Sequence, residues 1–204
     1  MNLESINNKI PQIYLKRKIL HLLLGILGLF LLVYNLISEL QIFIILAVGV
    51  LISLLSIKFR IPIISFFLDN FEEKQQGQLP ARAVIFAVVG ALLTLQLFSR
   101  DIALASISIL VFADPISHLV GRILGKTQHF LDSKKNIEGH IAGALVSSLV
   151  AMFFVHPALA IAGSIAAMLF ESIIIEIRKI KLDDNLIIPL AAGTTMFLIV
   201  RFLL

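Results

Sequence analysis

The 204-residue chain contains no cysteine, which excludes disulfides, thiolate chemistry and cysteine-ligated zinc or iron–sulfur centres. Charge is also scarce. Charged residues make up 15% of the chain, against about 25% in an ordinary soluble domain, so the polar surface needed to cover a water-facing globule is missing. No internal repeat is visible, which argues against a transporter built from repeated halves. No cleaved leader is visible either. Mostly polar residues precede the first apolar run and no small-x-small site follows it, so that run reads as a retained first span.

What is abundant is apolar sequence, at 59% of residues with a mean hydropathy of +1.01. Long apolar runs lie at Ile19–Ile37, Leu40–Ile57, Ala83–Phe98, Ile102–Val120, Gly139–Val155, Pro157–Ile177 and Leu186–Leu204. Each approaches the roughly 20 residues that cross a hydrocarbon core of about 30 Å. Residues 141–170 carry no Asp, Glu, Lys or Arg and as one helix would extend about 45 Å, so the His156-Pro157 break predicts a hairpin between two helices. The chain therefore reads as a single domain over residues 1–204, an all-α polytopic transmembrane bundle of about seven spans.

Fifteen of the seventeen lysines and arginines fall in the segments before span one and after spans two, four and six; Arg100 and Arg201 are the exceptions. The positive-inside rule then places the N-terminus in the cytoplasm and the C-terminus outside. The basic surplus is thus a topology signal, aided by anionic lipid, and implies no nucleic-acid partner. The loop after span two carries Phe66, Phe67 and Phe71, a pattern that predicts a short helix lying in the interface.

Asp114 and Glu171 interrupt apolar spans, where a charge costs on the order of 2.5–3.5 kcal/mol unless it finds a partner or a wet cavity. Asp114 lies about 12 Å of helix before Arg122, and Glu171 about 10 Å before Arg178, so both carboxylates belong at similar depth in the cytoplasmic leaflet. Asp114, His118, Gly121 and Gly125 share one helical face. The glycines allow close approach of a ligand or, alternatively, of a second helix in a GxxxG-type crossing that Gly139 and Gly143 also match. GRILGKT at Gly121–Thr127 is not a P-loop, because three residues separate its glycines and no strand precedes it. The cations Arg122, Lys126, Lys134 and Lys135 beside Gly121 and Gly125 suit phosphate oxygens, and acids with Mg²⁺ suit phosphoryl transfer. Asp183, Asp184 and Asn185 at the mouth of the last span suit metal or substrate binding, or a helix N-cap. His21 reads either as a polar group reaching the interface or as a substrate contact. His118 could simply hydrogen-bond Asp114, and His129, His140 and His156 read as loop or interface residues.

RKILH at Arg17–His21, DPISHLVGRILGK at Asp114–Lys126, KNIEG at Lys135–Gly139 and DDNLIIPL at Asp183–Leu190, together with Glu171, resemble the polyprenol kinase family. That family includes dolichol kinase, phytol kinase and CTP-dependent diacylglycerol kinase. The resemblance covers Asp114 to Leu190 well, so the active-site segments are expected at 114–140 and 171–190. It implies transfer of the γ-phosphate of CTP to a membrane lipid alcohol, with a divalent cation such as Mg²⁺, at the cytoplasmic face. It also implies Asp114, Glu138 and Asp184 as essential acids, Gly121, Lys126, Lys135 and Gly139 at the nucleotide, and metal contacts among Asp114, Glu171, Asp183 and Asp184. His21 and Asn185 are then expected at the substrate. Ala113, Asn136 and His140 depart from the family's usual residues. A CTP:phosphatidate cytidylyltransferase shares the Asp, GR-x-x-GK and K-x-x-EG order, but its C-terminal His-Gly-Gly-type signature is absent. A transporter would place its charges nearer mid-bilayer.

Overall fold

The computed structural model describes residues 12–71, 79–129, 135–173, 176–177 and 180–203. Lys9, Lys74, Lys134, Arg178 and Lys179 lie outside the described residues. Eight helices account for nearly all the rest: α1 (Gln12–Val33), α2 (Glu39–Lys58), α3 (Pro62–Phe71), α4 (Arg82–Leu97), α5 (Arg100–Leu124), α6 (Ile137–Ala151), α7 (Pro157–Glu171) and α8 (Asp184–Leu203). A two-residue antiparallel pair, β1 (Glu176–Ile177) with β2 (Ile180–Lys181), sits between α7 and α8.

Each apolar run of the sequence supplies the body of one helix, and the helix ends follow local chemistry. Ser38 closes a capping box with Gln41 at the start of α2, satisfying N–H groups that the first turn leaves unpaired. The break at His156-Pro157 is as expected: α6 stops at Ala151, Pro157 opens α7, and the His156 ring accepts from the Ala158 N–H. Proline at the first helical position costs nothing, since its missing N–H would have had no partner there. The sixth run extends to Ile177, but α7 ends at Glu171.

Helices α2, α5 and α8 are long and apolar enough to cross a membrane by length and composition. Helices α4, α6 and α7 are apolar but shorter; 15 residues in α6 and α7 reach about 22 Å, against a hydrocarbon core of about 30 Å. Helix α3 forms where the three phenylalanines predict it, with Phe66 and Phe67 exposed and Phe67 stacked on Phe71.

Helix α5 is the hub. It packs most extensively on α6 and also touches α1, α8, α4 and α7. Ile109 and Ala113 of α5 meet Ala167 and Met168 of α7 and Ile188, Ala192 and Met196 of α8 in one buried cluster. On its other side, Leu104, Ile107 and Val111 pack on Leu29 of α1. Alanines recur in the first cluster, at Ala105, Ala113, Ala151, Ala160, Ala167 and Ala192, whereas the second is built of branched aliphatic side chains.

Candidate active site

The polar residues buried in this apolar bundle converge where the starts of α1, α4, α6 and α8 meet the ends of α5 and α7. Lys18 of α1 reaches Asp114 of α5, with Nζ 2.7 Å from Oδ2 and both side chains buried. One turn along α5, His118 Nε2 stands 3.4 Å from Asp114 Oδ1 and 3.5 Å from Glu171 Oε1. Lys135, just before α6, places Nζ 3.1 Å from Glu171 Oε1, 3.1 Å from Asp184 Oδ2 and 2.5 Å from the Glu171 carbonyl oxygen. Three acids, two lysines and an imidazole thus form one continuous network drawn from five segments of the chain. Burial pulls the Lys135 ammonium down, but the carboxylates of Glu171 and Asp184 outweigh it and raise its pKa above the usual lysine value, so Lys135 is cationic at any working pH.

The chemistry of the donors bears on the cation implied by the resemblance. Asp114, His118 and Glu171 each offer a ligand atom, and these atoms lie within 4.8 Å of one another. Glu171 is 2% exposed, yet its Oε2 has no hydrogen-bond partner among the described residues, a condition that costs free energy unless something else fills the coordination. These residues fit a divalent cation. Asp114 and Glu171 are where a metal role was expected; His118 joins them, and Asp183 and Asp184 do not belong to this donor group.

Asp183 instead caps α8. Its carbonyl accepts from Leu186 and Ile187, its Oδ1 accepts from the Asn185 N–H and side-chain amide, and its Oδ2 faces Arg82 at 3.6 Å. Burial pushes its carboxyl above the usual aspartate value, partly offset by the bonds from Asn185. The N-cap alternative therefore describes Asp183, because its oxygens serve the orphan N–H groups of the first turn. Asp184 turns the other way, to Lys135. Asn185 donates to Asp183 and to the Ala83 carbonyl, leaving its buried Oδ1 without a partner among the described residues.

The glycines expected at a nucleotide are taken up in packing. Gly121 and Gly139 face each other across the α5–α6 crossing, and a Cβ on Gly139 would come within 2.2 Å of the Ser117 carbonyl oxygen. A Cβ on Gly125 would come within 2.1 Å of the Gly121 carbonyl oxygen. That carbonyl accepts from the Asn136 side chain at 2.9 Å, which closes the end of α5. The helix-crossing alternative is the one these contacts support.

The connection from α5 to α6 folds back on itself through His129 N–H to the Lys135 carbonyl and Ile137 N–H to the Thr127 carbonyl. Glu138 Oε1 accepts from the backbone N–H groups of Lys126, at 3.1 Å, and Thr127, at 3.0 Å. Its own backbone N–H, with those of Lys126 and Thr127, holds the Glu138 carboxyl below the usual glutamate value. The Lys126 side chain is exposed. The Arg122 guanidinium lies 3.7 Å from the centre of the Tyr14 ring, a cation–π stack that ties α5 to α1. Lys134 lies outside the described residues.

His21 is partly buried on α1, one turn beyond Lys18. His129 and His140, expected as loop or interface residues, are both buried, their rings tilted against each other with centroids 4.7 Å apart, and converge on buried Ser172, whose Oγ is 2.8 Å from His140 Nε2. The sequence reading passed over Tyr14 and gave Lys18, within RKILH, no role of its own beyond its positive charge. Their spacing with His21 at i, i+4 and i+7 marks one helical face, a signal that was available. Nothing in the sequence announces that this face meets Asp114.

No family profile matches the chain, and no solved structure matches it. The chain is similar to an uncharacterized protein of Methanocaldococcus jannaschii, 29% identical over 179 residues that span 85% of this chain and 87% of the relative.

Proposed function

We propose that the protein is a multi-pass membrane phosphotransferase that moves the γ-phosphate of CTP to the hydroxyl of an isoprenoid-type lipid alcohol at the cytoplasmic face. In this reading all seven long helices cross the bilayer, the shorter ones where it is thinned or where their flanking lysines and arginines snorkel. The N-terminus is then inside and the C-terminus outside, which follows from the charge distribution. The observation that carries the reading is the network of Lys18, Asp114, His118, Glu171, Lys135 and Asp184 at the helix ends that this orientation turns to the cytoplasm.

The setting suits the chemistry. A lipid alcohol keeps its hydroxyl at headgroup level while a nucleotide arrives from water, so a reaction plane just beneath the interface is required. Lys18 and Lys135 supply fixed positive charge in a site largely shielded from solvent, where it acts strongly on phosphate oxygens. A cation held by Asp114, His118 and Glu171 would neutralise charge on the transferring phosphate. As the alcohol oxygen bonds to γ-phosphorus, the bond from γ-phosphorus to the β-bridging oxygen breaks, CDP leaves, and the hydroxyl proton passes to a carboxylate. Asp184, partly buried and held by Lys135, is the carboxylate we assign to accept it. The alignment of hydroxyl and γ-phosphate supplies much of the remaining barrier reduction.

The test is transfer by purified protein in micelles containing polyprenol, phytol, geranylgeraniol or diacylglycerol. Label from γ-labelled CTP should appear in one lipid, label from α-labelled CTP should not, and omission of divalent metal should stop the reaction. Lipid labelled from α-labelled CTP with release of pyrophosphate would replace the kinase reading with cytidylyl transfer. Label in no lipid from either nucleotide would reject both.

A further inference from the structure

We infer that Asp114, His118 and Glu171 form a site for a first-row transition dication such as Fe²⁺ or Zn²⁺, selected over Mg²⁺ by the imidazole, with Mn²⁺, the weakest binder of that series, as its spectroscopic probe. As the identity of the cation serving the proposed transfer, this rests on the reading above; as a binding site, it can be measured without nucleotide or lipid.

Asp114 and His118 lie one turn apart on α5 and so project to the same side, while Glu171 arrives at the end of α7 to complete the group. The network leaves one oxygen of each carboxylate to a cation. Lys18 takes Asp114 Oδ2 and leaves Oδ1 toward His118; Lys135 takes Glu171 Oε1 and leaves Oε2 without a partner among the described residues. Glu171 is 2% exposed, so water does not readily satisfy that oxygen. Three acids face only Lys18 and Lys135 in this network, so the carboxylates outnumber the fixed cations, and a dication would offset that excess.

The choice of ion follows from the donors and their spacing. Mg²⁺ prefers an all-oxygen octahedral shell at 2.0–2.1 Å, with neighbouring ligands about 2.9 Å apart. Imidazole nitrogen instead favours the later first-row ions. The spacings here, 3.4 Å from His118 Nε2 to Asp114 Oδ1 and 3.5 Å to Glu171 Oε1, the oxygen that also meets Lys135, are close to the roughly 3.4 Å edge of a tetrahedral shell of 2.0–2.1 Å bonds, and the unpartnered Oε2 belongs to the same carboxylate. They also accommodate a larger six-coordinate ion better than Mg²⁺. Tyr14 meets the His118 ring edge-on with centroids 6.3 Å apart, and such support fixes the orientation of a ligating imidazole. The His118 side chain is 27% exposed, leaving a route for the ion.

The experiment titrates Mn²⁺ into untagged full-length protein in micelles, with no nucleotide or lipid alcohol, and follows electron paramagnetic resonance. One ion per chain should bind, with pulsed spectra showing the nitrogen of a coordinated imidazole. His118→Asn should lose that nitrogen signal and weaken Mn²⁺ binding at least about tenfold, and Glu171→Gln should weaken binding by a similar factor. Mg²⁺ should displace the Mn²⁺ only at more than about tenfold excess. Absence of stoichiometric binding, a nitrogen signal that survives in His118→Asn, or displacement by Mg²⁺ at parity would overturn the assignment. Failure of lipid labelling with Mn²⁺ binding intact would count against the transfer reading alone. Labelling without Mn²⁺ binding would count against this site alone.

Discussion

Helices α2 and α5 are both long enough and apolar enough to cross a membrane, yet they occupy opposite environments. In α2 the mean hydropathy of the best window is 2.7 and 11% of it is buried; in α5 the values are 1.7 and 78%. The more hydrophobic helix is thus the outer one. In water the order would be reversed, because burial there is driven by removing apolar surface from solvent. In lipid that drive is absent between helices, and the centre goes to the helix whose polar and small residues need protein partners. Asp114, Ser106, Ser108 and Gly121 make α5 such a helix.

Three measurements would break or sharpen this contrast. The largest effect is expected from Asp114→Asn, which under the proposed transfer should lower labelling of the lipid at least about tenfold by weakening the cation site while the protein still inserts and purifies. Wild-type activity in a folded variant would make the centre of α5 a packing element only. Next come matched truncations. Ile109→Ala, fully buried in α5, should cost about 2–5 kcal/mol. Leu51→Ala, 57% exposed in α2, should change stability by no more than about 0.5 kcal/mol. Equal shifts in unfolding by denaturant would erase the distinction between the two helices.

The smallest effect concerns pH. The Glu138 carboxyl is held below the usual glutamate value of 4.5, so the folded state favours the ionised form. Its contribution should be fully present above the unfolded value and lost as pH falls through the lowered folded one. The difference in thermal midpoint between wild type and Glu138→Gln should therefore be constant from pH 7 to about pH 5 and shrink below it. A difference that grows on acidification would show that the carboxylate is not held by the N–H groups of Lys126 and Thr127.

The helices were legible because their apolar runs were long and their breaks chemical, as at His156-Pro157. The end of α7 was not. The run continues to Ile177, but Ser172 turns its hydroxyl to His140 and to the Met168 carbonyl, and a short antiparallel pair follows. Isoleucine suits helix or strand, so hydropathy could not separate them. At the site, Asp114 and Glu171 stood out because charge inside an apolar run is costly. Lys18 did not, because its partner is 96 positions away and periodicity reveals a face without saying which helix meets it. Asp183 and Asp184 are adjacent and chemically alike, yet one caps α8 and the other meets Lys135. Only the direction of each side chain distinguishes them.

The carboxylate of Glu138 has one further consequence. It occupies two adjacent backbone N–H groups just beyond the end of α5, a pair of donors that would equally receive a phosphate oxygen. An anion that takes this seat must therefore evict a resident one, so its capture is an exchange and not an addition. Its apparent affinity is lowered by whatever holds Glu138 in place. The displaced carboxylate, on the first turn of α6, would then be a negative charge without its two backbone donors.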